Sequence, residues 1–311
     1  MVEACGVGLT VLNCIRGDLG NNPSDLPRTP GHEIVGRIVA TGANADPRRL
    51  GERIVAYFYL FCGQCRHCIA GEENLCENLS GFLGVNRDGG YAEMVSLPEG
   101  NAVPCPDTVD AAAATVIPDA VATPVHVVDR TSIGKGKRVV VIGAGGGVGV
   151  HMVQVARLHG ADVIGLDLQG PKLDYLDEVL KVPAIDSSDF ARTQLPSSWA
   201  NQADVIIDLV GTAASTEWAL SRLSSGGRVA LLTTFREAAF NASQRDMVLS
   251  ELSVVGSRYA NRQQVQVAAS LVAGGDVQAV VGATATLGEV QGLHEKLLSG
   301  TLIGRGAMVA G

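Results

Sequence analysis

The stretch Val139-Val-Val-Ile-Gly-Ala-Gly-Gly-Gly-Val-Gly149 decides the fold. Arg138–Ile142 is a short run of β-branched residues, which reads as a strand buried on both faces. The glycines then form a turn, and an amphipathic pattern from about Val148 to His159 predicts a helix. A strand, a turn of small residues and a helix N-terminus together bind a pyrophosphate, because the backbone approaches closely and the first N–H groups face the anion. Gly143, Gly145, Gly147, Val148 and Gly149 are therefore cofactor-binding candidates. The next strand, Asp162–Leu166, ends at Asp167, eighteen residues after Gly149. A carboxylate there accepts hydrogen bonds from adenosine ribose hydroxyls and repels a 2′-phosphate, which favours NAD over NADP. Lys172, five residues on, could reach the same ribose.

Outward from this turn, Asp204–Leu209 and Arg228–Thr233 are apolar runs of strand length. Lys172–Val179 and Thr216–Leu223 are helical segments between them. Strands alternating with helices predict a doubly wound parallel sheet of the α/β class. Upstream, residues 30–100 are rich in Val, Ile and Gly with frequent turn signals. Ile34–Thr41, Arg53–Tyr59 and Tyr91–Leu97 read as strands of an all-β unit. Residues 20–30, with Asn21, Asn22, Pro23, Pro27 and Pro30, read as loop. A chain of 311 residues suits two such domains.

Composition narrows the partners. Apolar residues make up 46%, enough for a sizeable core, and a net charge of −8 argues against nucleic acid or an anionic membrane surface. Met1–Asn13 lacks a basic region and a cleavage site, and the most apolar stretch, Val139–Ala156, is broken by five glycines. No secretory signal or membrane span is expected, so the expected location is cytoplasmic.

Four of the seven cysteines lie in one run, Cys62-x2-Cys65-x2-Cys68-x7-Cys76. Thiolates at this spacing can turn onto one ion and close a tetrahedral zinc shell with no open position, so the zinc expected there is structural. His67 reads as a surface residue beside it. His126, His151, His159 and His294 read as packed or surface residues, and Cys105 as a small buried one.

These features together resemble the zinc-containing alcohol dehydrogenases of the medium-chain dehydrogenase/reductase superfamily. Besides the cysteine lobe and the glycine turn with Asp167, the resemblance rests on Gly31-His32-Glu33-x2-Gly36-x5-Gly42, Gly51-Glu-Arg-Ile-Val55 and Gly304-Arg305. It implies a GroES-like irregular β domain over residues 1–123 and 259–311, with the lobe at about 60–80, and a Rossmann NAD-binding domain over 124–258. It places the active cleft between the two, and a homodimer or homotetramer is expected. It also implies that Arg305 binds the cofactor pyrophosphate and that Thr123 touches the nicotinamide.

The family's second, catalytic zinc polarises the alcohol oxygen and stabilises the alkoxide from which hydride leaves. The resemblance assigns His32 and Asp119 as two of its ligands and Glu33 as an alternative one. Thr10 matches the hydroxyl that relays the proton, and Asn13 stands where some members have a relay histidine. The first ligand is missing. The family's Gly-Val-Cys-x-Ser/Thr reads Gly6-Val7-Gly8-Leu9-Thr10 here, and Cys5 is not its equivalent. Cys14 is a distant substitute. The chain also begins seven residues before Gly8, so the family's opening strands are not in it and some compensation at the exposed edge is expected.

The activity implied is reversible, NAD-dependent oxidation of an alcohol to an aldehyde or ketone, with a small-molecule substrate. Catalytic zinc could survive on His32, Glu33 and Asp119. Alternatives are a zinc-independent reductase of an activated carbonyl, enone or quinone, and a non-catalytic NAD-binding homologue.

Overall fold

The computed structural model describes residues 1–19, 26–168, 170–234 and 239–310. Asn21, Asn22 and Pro23, in the expected loop, lie outside the described residues. The chain divides into two compact units, Met1–Ala122 with Ala260–Gly311, and Thr123–Tyr259.

Among the described residues, twelve strands make two sheets. They are β1 Val2–Val7, β2 Ile34–Arg37, β3 Arg53–Ala56, β4 Ala102–Pro104, β5 Arg138–Ile142, β6 Asp162–Asp167, β7 Ala184–Asp186, β8 Ala203–Asp208, β9 Leu223–Leu231, β10 Ser253–Gly256, β11 Val281–Ala285 and β12 Arg305–Val309. The first unit carries the order β11-β12-β1-β2-β3-β4, antiparallel except for the β11–β12 pair. The second carries β10-β9-β8-β5-β6-β7, parallel throughout. The fold is thus α/β, with a GroES-like sheet unit and a Rossmann-like parallel sheet.

The parallel sheet follows from its residues. The central strands β5, β6 and β8 are buried almost along their whole length, as strands covered on both faces must be. Ile142, Leu166, Ile206 and Trp218 pack into one cluster, each of the aliphatic ones stabilising by roughly 1.5–3 kcal/mol. The helix Ala213–Ser221 begins at a capping box in which Thr212 and Ser215 exchange side-chain-to-backbone bonds. Buried Asp208, at the end of β8, accepts from Ser215, Thr216 and the N–H groups of Val210 and Gly211, so its charge is met locally.

In the first unit, β1 lies between β12 and β2, so the two chain segments share one sheet. The predicted strand Tyr91–Leu97 is absent. Glu93 accepts a bond from Val2 N and Tyr91 N donates to the Pro30 carbonyl, but these two bonds form no continuous ladder, and Met94 is 65% exposed. It borders an open groove of about 490 Å³ that also touches Ile34, Ile38 and Ile54. The predicted strands Ile34–Thr41 and Arg53–Tyr59 stop early, at Arg37 and Ala56. Among the described residues one helical stretch, Ala111–Thr131, is long and apolar enough to cross a membrane, yet 78% of its apolar window is buried inside the protein.

Candidate active site

The predicted ligands His32, Glu33 and Asp119 meet in the first unit. One ligand atom from each lies within 4.8 Å of the others. His32 and Glu33 immediately precede β2, and both are buried. Asp119 sits on a π-helical turn, Ile117–Val121, marked by the bond from Val121 N to Val116 O. Such one-turn bulges re-aim a side chain that a regular helix would point elsewhere. His32 Nε2 lies 3.4 Å from Asp119 Oδ2, and Phe58 packs edge-on against the imidazole at 4.7 Å.

A fourth residue joins them from the far end of the chain. Arg305, the first residue of β12, donates from Nε to Glu33 Oε1 at 3.0 Å and from Nη2 to Asp119 Oδ2 at 2.8 Å. The Arg305 side chain is 9% exposed, that of Glu33 fully buried. Burial pushes the Glu33 carboxyl up, and the Arg305 charge opposes that push. Burial also works against the Arg305 charge, but Glu33 and Asp119 more than offset it and hold the guanidinium protonated. The guanidinium expected on a pyrophosphate is here engaged by two carboxylates.

Gly8 explains how it fits. Its backbone, at φ −133° and ψ 178°, is extended and open to any residue. Space is the constraint, because a Cβ at Gly8 would lie 2.4 Å from Arg305 Nη1. Gly6 is tight in the same way, since a Cβ there would meet Glu33 Oε2 at 2.3 Å.

Thr10 lies half-buried in the first turn of the helix Leu9–Arg16 and makes no hydrogen bond to His32 or Asp119 among the described residues. Cys14 bonds the Gly84 carbonyl, and Cys5 is fully buried beside Gly6. His294 stacks on Tyr91 and accepts or donates a bond to its hydroxyl at 3.2 Å; His151 is buried against the Gly147 carbonyl. Cys105 is buried.

The four cysteines of the lobe also converge. Their Sγ atoms lie within 4.8 Å of one another, with Cys65 to Cys68 at 3.5 Å and Cys62 to Cys68 at 3.9 Å. Tetrahedral zinc with sulfur at 2.3 Å requires S–S separations of about 3.8 Å. Cys65 N donates to Cys62 Sγ, and Cys62 N to Cys76 Sγ. N–H groups of Gln64 and Cys65 pull the Cys62 thiol down to about 6. The donor set fits zinc.

In the second unit, Asp167 and Lys172 lie against the glycine turn. Gly145 N donates to Asp167 Oδ2 at 2.7 Å and Leu168 N to Oδ1 at 2.8 Å. The Lys172 stem packs against Gly145, and a Cβ at Gly149 would strike the Gly143 carbonyl at 2.1 Å, so the last glycine of the run permits close strand–helix packing. Thr123 is buried in the helix Ala122–Thr131.

Comparison with known proteins decides the family. The profile of the alcohol dehydrogenase GroES-like domain matches residues 1–107, and that of the zinc-binding dehydrogenases matches 147–274. The L-galactonate-5-dehydrogenase of Escherichia coli K12 is 31% identical over 263 residues, covering 84% of this chain and 76% of its own. The chain belongs to the zinc-type medium-chain dehydrogenase/reductase family. A structure of the cobalt- and zinc-bound thermostable alcohol dehydrogenase of Pyrobaculum aerophilum superposes with a TM-score of 0.88 at 25% identity, covering 99% of this chain and 90% of that one. A structure described as an NAD-dependent alcohol dehydrogenase does so with a TM-score of 0.88 at 27% identity, covering 100% and 90%.

Proposed function

We propose that the protein is an NAD-dependent oxidoreductase of the alcohol dehydrogenase type, interconverting an alcohol and its aldehyde or ketone by hydride transfer. The observation that carries the reading is Asp167. It closes β6 beside the glycine turn, and its carboxylate is held there by the Gly145 and Leu168 N–H groups. A fixed negative charge at that point accepts ribose hydroxyls and disfavours a 2′-phosphate. Gly143, Gly145, Gly147, Val148 and Gly149 form the pyrophosphate turn, with Lys172 beside it and Thr123 on the nicotinamide.

The substrate oxygen is bound at His32, Asp119 and Arg305, with Thr10 as the proton relay. Cys62, Cys65, Cys68 and Cys76 hold a structural zinc ion, and these clustered thiols, which need a reducing compartment, support a cytoplasmic location. The resemblance supports a homodimer or homotetramer built through the parallel-sheet unit, where β10 forms an exposed edge.

The test is the appearance of reduced cofactor with a panel of primary, secondary and polyol alcohols, and its disappearance with the matching carbonyls. The expected outcome is turnover with NAD at least tenfold better than with NADP. Binding of NAD without turnover of any substrate in the panel would instead mark a non-catalytic homologue.

A further inference from the structure

We propose that the guanidinium of Arg305 takes the place of the family's catalytic metal ion, so that this active site works with an organic cation. The proposal rests on reading the site as the alcohol-binding end of an NAD-dependent dehydrogenase.

Three observations carry it. First, the position that supplies the family's thiolate ligand is Gly8, whose backbone tolerates any residue, so glycine is not there for its conformation. Second, the volume that a thiolate would need is filled: Arg305 Nη1 lies 2.4 Å from where the Cβ would be, and a sulfur would extend further still. Third, the two carboxylates that remain as metal donors already share a cation, through Nε on Glu33 and Nη2 on Asp119. The residues present therefore do not fit a divalent ion. Three donors remain that could hold zinc without a thiolate, but a positive group already stands among them.

Arg305 also has a free end suited to the role. Nε and Nη2 are anchored, while Nη1 makes no hydrogen bond among the described residues and is not fully enclosed. A guanidinium never loses its proton near neutral pH and presents donors in a fixed fork. Two carboxylates hold the fork rigid, leaving the Nη1 N–H groups for a substrate oxygen. On alcohol oxidation the carbinol C–H bond breaks, and its hydrogen and electron pair pass to the nicotinamide of NAD. The O–H proton leaves through the Thr10 hydroxyl to solvent, and the O–H electron pair becomes the C=O π bond. The negative charge that gathers on oxygen between these events faces Nη1, as in other preorganised oxyanion sites.

The intact protein is dialysed first against excess zinc and then against zinc-free buffer, and zinc is counted per chain. One ion, the lobe's, is expected in the wild type. Arg305→Met leaves His32, Glu33 and Asp119 open and is expected to hold two. Gly8→Cys displaces Nη1 from the space it fills, supplies the thiolate, and is also expected to hold two; it serves if Arg305→Met does not fold. Two ions in the wild type, or no gain in any folded variant, would overturn the proposal. Kinetics give a second readout. Arg305→Lys is expected to lower kcat about 100-fold while leaving the KM for NAD unchanged. A rise in that KM with kcat preserved would place Arg305 on the cofactor instead and overturn the proposal. If the alcohol reading itself fails, the wild type binds NAD but turns over no alcohol or carbonyl, and the metal counts are unaffected.

Discussion

The first unit contains two clusters that a zinc enzyme of this family would fill alike, and they have diverged. The lobe keeps four thiols within 4.8 Å, supported by backbone N–H groups. The cluster at His32 keeps three donors within the same distance, but one family ligand is reduced to a glycine and an arginine has entered the space. The difference teaches that a binding site is defined as much by what fills its volume as by which donors remain. A count of His, Asp and Glu side chains makes the two sites look similar, whereas the contacts of Arg305 separate them.

The sharpest way to break the comparison is to damage the complete site. Cys76→Ser should release the lobe's ion and lower Tm by about 10 °C or more, because structural zinc supplies folding energy directly. Calorimetry alongside a zinc count checks this; an unchanged Tm would mean the lobe does not depend on metal. Next comes the occupied site. Arg305→Met strands a fully buried Glu33 carboxylate and should cost about 3–5 kcal/mol in urea unfolding, with added zinc recovering part of the loss in the variant but not stabilising the wild type at this site.

A smaller effect is expected from Gly6→Ala. Its Cβ would press on Glu33 Oε2 and shift the carboxylate off Arg305, for about 1–3 kcal/mol by the same unfolding measurement. The smallest is His67→Ala. This removes a partly exposed pair with Glu72 on the lobe's surface and should cost less than about 1 kcal/mol, with the zinc count unchanged. A large loss there would mean that surface charge rather than thiolate ligation holds the lobe together.

Much of this was legible in the sequence, for physical reasons. The parallel sheet announces itself because strands buried on both faces must be continuous apolar runs, and β5, β6 and β8 are such runs. The lobe is legible because its ligands are close in the chain, so spacing alone carries the geometry. Tyr91–Leu97 misled because an apolar-rich run between turns states a preference, while a strand also needs a continuous ladder of backbone bonds. The gap at Gly8 was legible as a broken motif, but its occupant was not. Arg305 and Glu33 are separated by 272 residues, and only the β12–β1–β2 pairing brings them together. Nothing local to Gly304-Arg305 tells whether the guanidinium turns toward a cofactor or toward two carboxylates.

That pairing also sets an order of assembly. Since β12 lies beside β1, with Val309 opposite Ala4, the sheet that begins the chain has an open interior edge until the last strand has been synthesised. The parallel sheet, encoded wholly between Thr123 and Tyr259, can close first. At about 5–20 residues per second on the ribosome, the opening strands wait on the order of ten seconds or more for their central partner. For all that time Glu33 and Asp119 are negative charges without the Arg305 cation that neutralises them, and the cluster of His32, Glu33, Asp119 and Arg305 forms only as β12 arrives.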